Sequence, residues 1–385
     1  MAKGQRIYTS VEICAGAGGQ AIGLEDAGFA HRALVEIDPW ACRTLRANVE
    51  TPERVIEGDV RDFLTACKTN PTPYAGLDLL AGGVPCPPFS LAGKQLGADD
   101  ERDLFPVMLD LVEVLKPRAV MIENVRGLLQ AKFNDYRKAI LHRLGELGYP
   151  QADWHEFNAS DFGVPQLRPR SILVAIRSDI DEIDSVPKYK APKGDPAAIR
   201  TVGAALEQSM RDRKMPEDRL AEWVAKASRV APTLVGGSKK HGGADLGPTR
   251  AKRQWAEMGV DAWALAEDGA STEPVVPRGY TEPKVEGPRL TVDQAAVLQG
   301  FPDGTGKREK WDFQGGKTAR YRQVGNAFPP PVALAVSSEI LAVLKAADDH
   351  AAKQAAFPSQ RPRSATDSPK APRAAKTGEP ASQPR

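Results

Sequence analysis

The sequence has little cysteine: four in 385 residues, at Cys14, Cys42, Cys67 and Cys86. They form no Cys-x-x-Cys pair and no Cys/His cluster. That argues against a disulfide scaffold and a structural metal, and fits a reducing cytoplasm. No run of about 18 apolar residues stands out as a membrane span, and the opening MAKGQRIYTS has no apolar core of a signal peptide. Charge of either sign is not in excess, since 52 basic and 50 acidic residues leave +2. A nucleic-acid binder of this composition must concentrate its positive charge locally. The length allows two domains with a substantial core and no covalent staple.

What is present changes character along the chain. Through residue 178, short apolar runs at 7–14, 33–37, 77–81 and 119–122 read as strands. Helical stretches at 20–27, 40–48 and 104–115 alternate with them, the last stopping at Lys116-Pro117 as a helix before proline does. This βαβα alternation predicts an α/β fold with a doubly wound sheet. From 179 to 288 glycine and proline become frequent and charge comes in blocks. Residues 226–253 hold seven Lys/Arg against one Asp, the local positive charge that the near-neutral total otherwise hides. Helical order returns at 290–298 and, after Pro329-Pro330-Pro331, at 332–347. The expected organisation is a catalytic and cofactor-binding domain over 1–178, completed by 325–348. A smaller, irregular domain covers 179–324. The tail, 349–385, is rich in Ala, Pro, Ser and basic residues, and is expected to be disordered.

Three features outline a nucleotide cleft. The run Glu12-Ile-Cys14-Ala-Gly16-Ala-Gly18-Gly19 follows the first strand and opens a helix, where glycines let backbone approach a ligand. By itself it fits a dinucleotide site or an ordinary tight turn. Glu36, about 20 residues on at the end of the second strand, is placed to accept ribose hydroxyls. Asp59 ends the third strand, where it can accept an adenine amino group or simply cap the next helix. Together they point to an adenosine ligand, nicotinamide dinucleotide or S-adenosylmethionine, with GxGG leaning to the latter.

Three more carry reactivity. Cys86 sits in Gly-Gly-Val-Pro85-Cys86-Pro-Pro just after an apolar strand, at the sheet edge where ligands bind. A thiolate there can act as nucleophile. Glu123, in Val-Met-Ile-Glu123-Asn124-Val125, ends another buried strand, where desolvation raises a carboxyl pKa toward general-acid use unless the group is paired. In Gln166-Leu-Arg168-Pro-Arg170, arginines at i and i+2 of an extended stretch point the same way.

In this order and spacing, these segments and Gly325-Asn326-Ala327 resemble the DNA cytosine-5 methyltransferases over roughly 7–178 and 288–345. The resemblance implies a Rossmann-like S-adenosylmethionine-dependent methyltransferase sheet with a target recognition domain. It implies base flipping, with Cys86 adding to cytosine C6, Glu123 protonating or holding N3, and Arg170 contacting the 2-oxygen with Arg168 in support. Cys14, Gly16, Gly18, Gly19, Glu36, Ile37, Asp59, Val60, Pro85 and Asn326 match cofactor positions. Cys14 and Ile37 stand where the family usually or often has an aromatic residue. Ser90, Lys94 and Gln95 match a loop closing over DNA. Thr233 and Leu234 resemble a pair set beside the vacated base, and Lys239, Lys240 and Arg250 are candidate DNA contacts in the recognition domain.

The implied partner is double-stranded DNA, with a cognate restriction endonuclease on the same site, no metal, no membrane, and a monomeric bacterial enzyme in the cytoplasm at the nucleoid. The alternatives are a tRNA cytosine-5 methyltransferase, which has a smaller recognition region, and a catalytically silent DNA-binding relative. A nicotinamide oxidoreductase rests on the glycine turn alone.

Overall fold

The computed structural model describes residues 6–85, 103–236, 244–276 and 280–356. Seven strands form one sheet: β1 Tyr8–Ile13, β2 Phe29–Glu36, β3 Val55–Glu57, β4 Leu79–Gly82, β5 Ala119–Val125, β6 Asp153–Asn158 and β7 Pro169–Ile176. Their order is β3-β2-β1-β4-β5-β7-β6. The first five are parallel, whereas β7 runs antiparallel between β5 and β6. The central strands are the apolar runs seen in the sequence, and β4 is buried at every residue. By contrast β6, DWHEFN, is a polar edge strand. Its charges guard the open edge and erase the apolar signal by which it is otherwise recognised.

Twelve helices are described: α1 Gly19–Ala27, α2 Pro39–Asn48, α3 Val60–Thr69, α4 Phe105–Leu115, α5 Asn134–Glu146, α6 Ser178–Asp181, α7 Val202–Asp212, α8 Glu217–Lys226, α9 Thr249–Glu257, α10 Val292–Gln299, α11 Lys317–Asn326 and α12 Pro330–Ala356. Several begin where local chemistry says they should. Asp38 caps α2 with Pro39 in its first turn, and Thr291 with Gln294 forms a reciprocal capping box at α10. Apolar side chains of α3, α4 and α5 cover one face of the sheet, and α1 with α12 covers part of the other.

Helix α12 belongs to the one stretch apolar and long enough to cross a membrane among the described residues, and it spends that face on protein: two-thirds of the window, 67%, is buried. It also continues to Ala356, into the segment expected to be disordered from 349. The rest of that tail lies outside the described residues.

The stretch 179–288 holds helices α7, α8 and α9 between long irregular segments. Its buried residues, Leu206, Trp223 and Trp255 among them, belong to one apolar cluster with Val324 of α11 and Ala15, Ile22 and Leu45 beside the glycine turn. This packing joins helices α7, α8 and α9 to the apolar cluster that also holds the turn after β1.

Candidate functional site

The chain leaves β1 toward β2 and β3, then returns to place β4 and β5 on the other side of β1. At such a reversal the two neighbouring connections diverge and leave a crevice beyond the strand ends. A cavity of about 690 Å³ opens there, and Cys14, Gly16, Glu36, Ile37, Asp59, Val60, Pro85, Glu123 and Asn326 line it. That volume suits a nucleoside-sized ligand.

Glu36 is held before any ligand arrives. Gly16 N–H donates to Oε2 at 2.7 Å, and the Ile37 and Asp38 N–H groups donate to Oε1 at 2.9 and 2.8 Å. Burial raises its pKa, and these three donors oppose the rise. With about four acceptor sites on a carboxylate, Oε2 retains room for a further hydroxyl. Asp59 combines the two roles open in the sequence: it caps α3 through the Arg61 N–H at 2.8 Å and also lines the cavity, paired with the Arg61 guanidinium at 3.2 Å. Cys14 lines the wall with a left-handed φ of 52°. Burial and then the nearby Glu36 and Glu12 carboxylates push its thiol to about 12, so it stays protonated.

The glycines divide by task. Gly16 borders the cavity at φ +54° with open space around it. Gly18 and Gly19 do not line it, a correction to their assignment as cofactor contacts. A Cβ on Gly18 would lie 2.7 Å from the Trp311 ring, and one on Gly19 would lie 2.1 Å from the Phe328 carbonyl oxygen. These two glycines let the C-terminal segment pack against the turn, and Trp311 Nε1 donates to the Ala17 carbonyl to hold it there.

Two residues passed over in the sequence reading complete the cavity. Glu12 is 1% exposed in the middle of the sheet, and its Oε2 has no hydrogen-bond partner. Desolvation first, then Glu25 and Glu36, drive its pKa well above the usual carboxylate range. Gln20, 3% exposed in α1, likewise leaves both its amide N and O unpartnered. Buried polar atoms left unmatched cost free energy, so a wall presenting both is built for a polar ligand. The signal was available as a charged residue between Val11 and Ile13 of a buried strand.

At the other end of the cavity, Arg170 Nε lies 2.7 Å from Glu123 Oε1, both side chains largely buried. Burial lowers the Arg170 pKa and Glu123 opposes that shift. Gly83 stands beside this carboxylate: a Cβ there would be 3.2 Å from Glu123 Oε2. The next residue of β5, Asn124, donates to the Val84 carbonyl at 2.8 Å, two positions before Cys86. Across the gap that follows, Leu104 N–H meets the Pro85 carbonyl at 3.3 Å. Both ends of the intervening segment therefore sit at the cavity, next to Glu123. Cys86 itself, with Ser90, Lys94 and Gln95, lies outside the described residues, as do Lys239 and Lys240.

Arg168 departs from expectation. It takes a left-handed φ of 22° just before β7, which breaks the extended alternation that was to align it with Arg170. Its side chain, 1% exposed, donates to the carbonyls of Leu234, Gly325 and Ala327 at 2.7 to 2.8 Å. It ties three segments together and does not line the cavity. Leu234 is also corrected: its side chain is fully buried and its backbone is engaged by Gln166 and Arg168, so it offers DNA no contact surface. Its neighbours Thr233 and Val235 are half-buried and exposed, and Arg250 is exposed on α9.

Comparison with known proteins identifies the family. The profile of the family described as C-5 cytosine-specific DNA methylase matches residues 8–342. The chain is 53% identical over 334 residues to Type II methyltransferase M.NaeI of Lentzea aerocolonigenes, covering 87% of this chain and 75% of that protein. It is 46% identical over 342 residues to Type II methyltransferase M.NgoMIV of Neisseria gonorrhoeae, covering 88% and 98%. In fold it resembles a variant of Spodoptera frugiperda DNMT2, with a TM-score of 0.56 at 18% identity over 88% of this chain and 99% of that one.

Proposed function

The chain belongs to the C-5 cytosine-specific DNA methylase family and is a DNA cytosine-5 methyltransferase, and from that premise we infer which residues carry the reaction and in what setting. The donor is S-adenosylmethionine, which supplies an activated methyl group when bound. The cavity suits it residue by residue. Glu36 offers an acceptor to a ribose hydroxyl, Asp59 and Val60 border the purine, and the orphaned Glu12 and Gln20 polar atoms match the charged amino-acid end. Asn326 and Phe328 close the wall.

The acceptor is a cytosine swung out of duplex DNA, at a cost of roughly a few kcal/mol. The Cys86 thiolate adds to C6 of the ring. Glu123 holds N3 and the 4-amino group, so that charge does not build up on the pyrimidine. Arg170 orients Glu123 and presents further donors to the 2-oxygen. Addition leaves C5 enamine-like and nucleophilic. After C5 is methylated, its proton departs, then the cysteine leaves and aromaticity returns. The observation that carries this reading is the Glu123–Arg170 pair at the cavity edge, with Asn124 anchoring the strand end that leads into Cys86.

The setting is bacterial restriction–modification: a monomeric enzyme in the cytoplasm, at the nucleoid, methylating a specific duplex site and protecting it from an endonuclease acting there. Residues 179–324 act as the target recognition region. Bisulfite sequencing of plasmid DNA from cells expressing the protein tests the reading, with 5-methylcytosine expected at one sequence. Unmodified DNA, with methylation appearing on tRNA instead, would overturn it.

A further inference from the structure

The recognition region carries an aromatic and basic surface that the cavity does not use. Trp263 is 47% exposed and Tyr280 57% exposed, large values for side chains of this kind. Between them lies Lys284, its Nζ 5.2 Å from the Trp263 ring centroid and 4.6 Å from that of Tyr280. Lys252 covers Trp263 from a second direction at 4.5 Å.

The arrangement is braced from below. Asp261, 3% exposed, accepts the Trp263 N–H at 3.0 Å and pairs with Arg289 at 2.7 Å. On either side of Trp263, Leu246 N–H meets the Ala262 carbonyl and Leu265 N–H meets the Ala244 carbonyl. The ring is thus presented outward by a fixed backbone. Of the nearby acids, Asp261 is engaged by Arg289 and Asp245 by Lys252, each at 2.7 Å. Lys284 has no ion pair among the described residues, although Glu282 and Glu286 flank it in sequence. Arg250 and Arg253, exposed on α9 beside Lys252, add to the positive field.

A chain of contacts ties this surface to the segment that leads into Arg170. Leu234 is bonded to Arg168, two residues before Arg170. The next residue, Val235, is exposed, and its Cγ2 approaches within 3.5 Å of a Cβ built on Gly247. Gly247 N–H donates to Asp245, which holds Lys252, which covers Trp263. Lys317 of α11, the helix that brings Asn326 to the cavity, also donates to the Leu265 carbonyl.

We propose that Trp263, Tyr280 and Lys284 form a platform that grips duplex DNA, the ring edges against its sugars and the ammonium on a phosphate. Exposed rings that hold a cation with no ion pair among the described residues match the sugar-phosphate backbone of a polyanion better than they match a protein surface. The proposal rests on the DNA methyltransferase reading and adds residues to it.

The test measures binding of the full-length protein to unmethylated linearised plasmid DNA across a salt series. Lys284→Glu is expected to weaken binding several-fold and to lower the slope of log affinity against log salt by about one or more. Trp263→Ala is expected to weaken it several-fold with little change in that slope, and Trp263→Phe to restore most of the loss. Unchanged S-adenosylmethionine affinity in each variant shows that the fold is intact. A wild-type chain that binds no DNA overturns both the platform and the reading beneath it. Wild-type binding with variants indistinguishable from it overturns the platform alone.

Discussion

Arg170 and Glu123 are diagonal neighbours across the β5–β7 ladder: Arg170 pairs directly with Val125, and Glu123 lies two residues along on the same face. Long side chains reach across that diagonal, and here they meet at 2.7 Å. The antiparallel insertion of β7 makes this possible, because it brings the start of β7 against the end of β5. Glu123→Gln keeps the shape but removes the acid, so kcat is expected to fall by about 10²–10⁴ with S-adenosylmethionine binding retained. Single-turnover methylation measures it, and a near-normal rate removes Glu123 from the chemistry.

Cys86→Ala is expected to abolish methylation and leave DNA binding in place. DNA containing 5-fluorocytosine separates the roles, since loss of the C5 proton is blocked and the Cys–C6 bond stays. Wild-type protein should give a denaturation-resistant adduct and the variant none. Turnover by the variant would exclude Cys86 as nucleophile.

The glycines of the first turn should respond in opposite ways to a methyl group. Gly19→Ala drives a Cβ into the Phe328 carbonyl, backbone that cannot yield cheaply. A loss of about 1–3 kcal/mol or more in denaturant stability is expected. Gly16→Ala meets nothing but has to adopt φ +54°, costing about 1 kcal/mol, and its main effect should be on cofactor affinity, measured by calorimetry. Equal stability losses would contradict this division.

Burial of Glu12 is expected to make the cavity pH-sensitive. Its pKa in the fold is raised well above the unfolded value, so the folded chain binds the extra proton. Its contribution to stability is present below the unfolded pKa and is lost as pH rises through the folded one. Glu12→Gln should therefore be more stable than wild type by a margin that widens with pH over that window in urea titrations. A ligand ammonium favours the ionised form, so S-adenosylmethionine affinity should rise with pH in wild type and stay flat in the variant. A flat wild-type profile argues against contact between Glu12 and the ligand.

Three acids of the candidate site stood out because each lies near or just beyond the C-terminal end of a strand. Glu36, Asp59 and Glu123 are abrupt charges after apolar runs, and such runs mark central parallel strands. Glu12 escaped because a single charge between Val11 and Ile13 looks like ordinary alternation until both faces of β1 are known to be covered. Gly18 and Gly19 were misread because a glycine needed for ligand approach and one needed for close packing leave the same letter. Arg168 and Leu234 were misread for a related reason: spacing does not say which side chains a neighbouring segment will bury. Strand direction was equally hidden, since the apolar run of β7 looks the same in either orientation.

One contact has a consequence for synthesis. Helix α1 packs directly on α12 from the far end of the fold: a Cβ on Gly23 would lie 2.5 Å from the Ala333 methyl. The first helix therefore waits for the last before either has a complete packing partner. On the ribosome, β1 and the glycine turn emerge long before Asn326 and Phe328 exist to wall the cavity. A chain stopped short of them can carry every strand of the sheet and still hold no methyl donor. Such non-local closure is slow to form, so methylating capacity should appear late after translation begins.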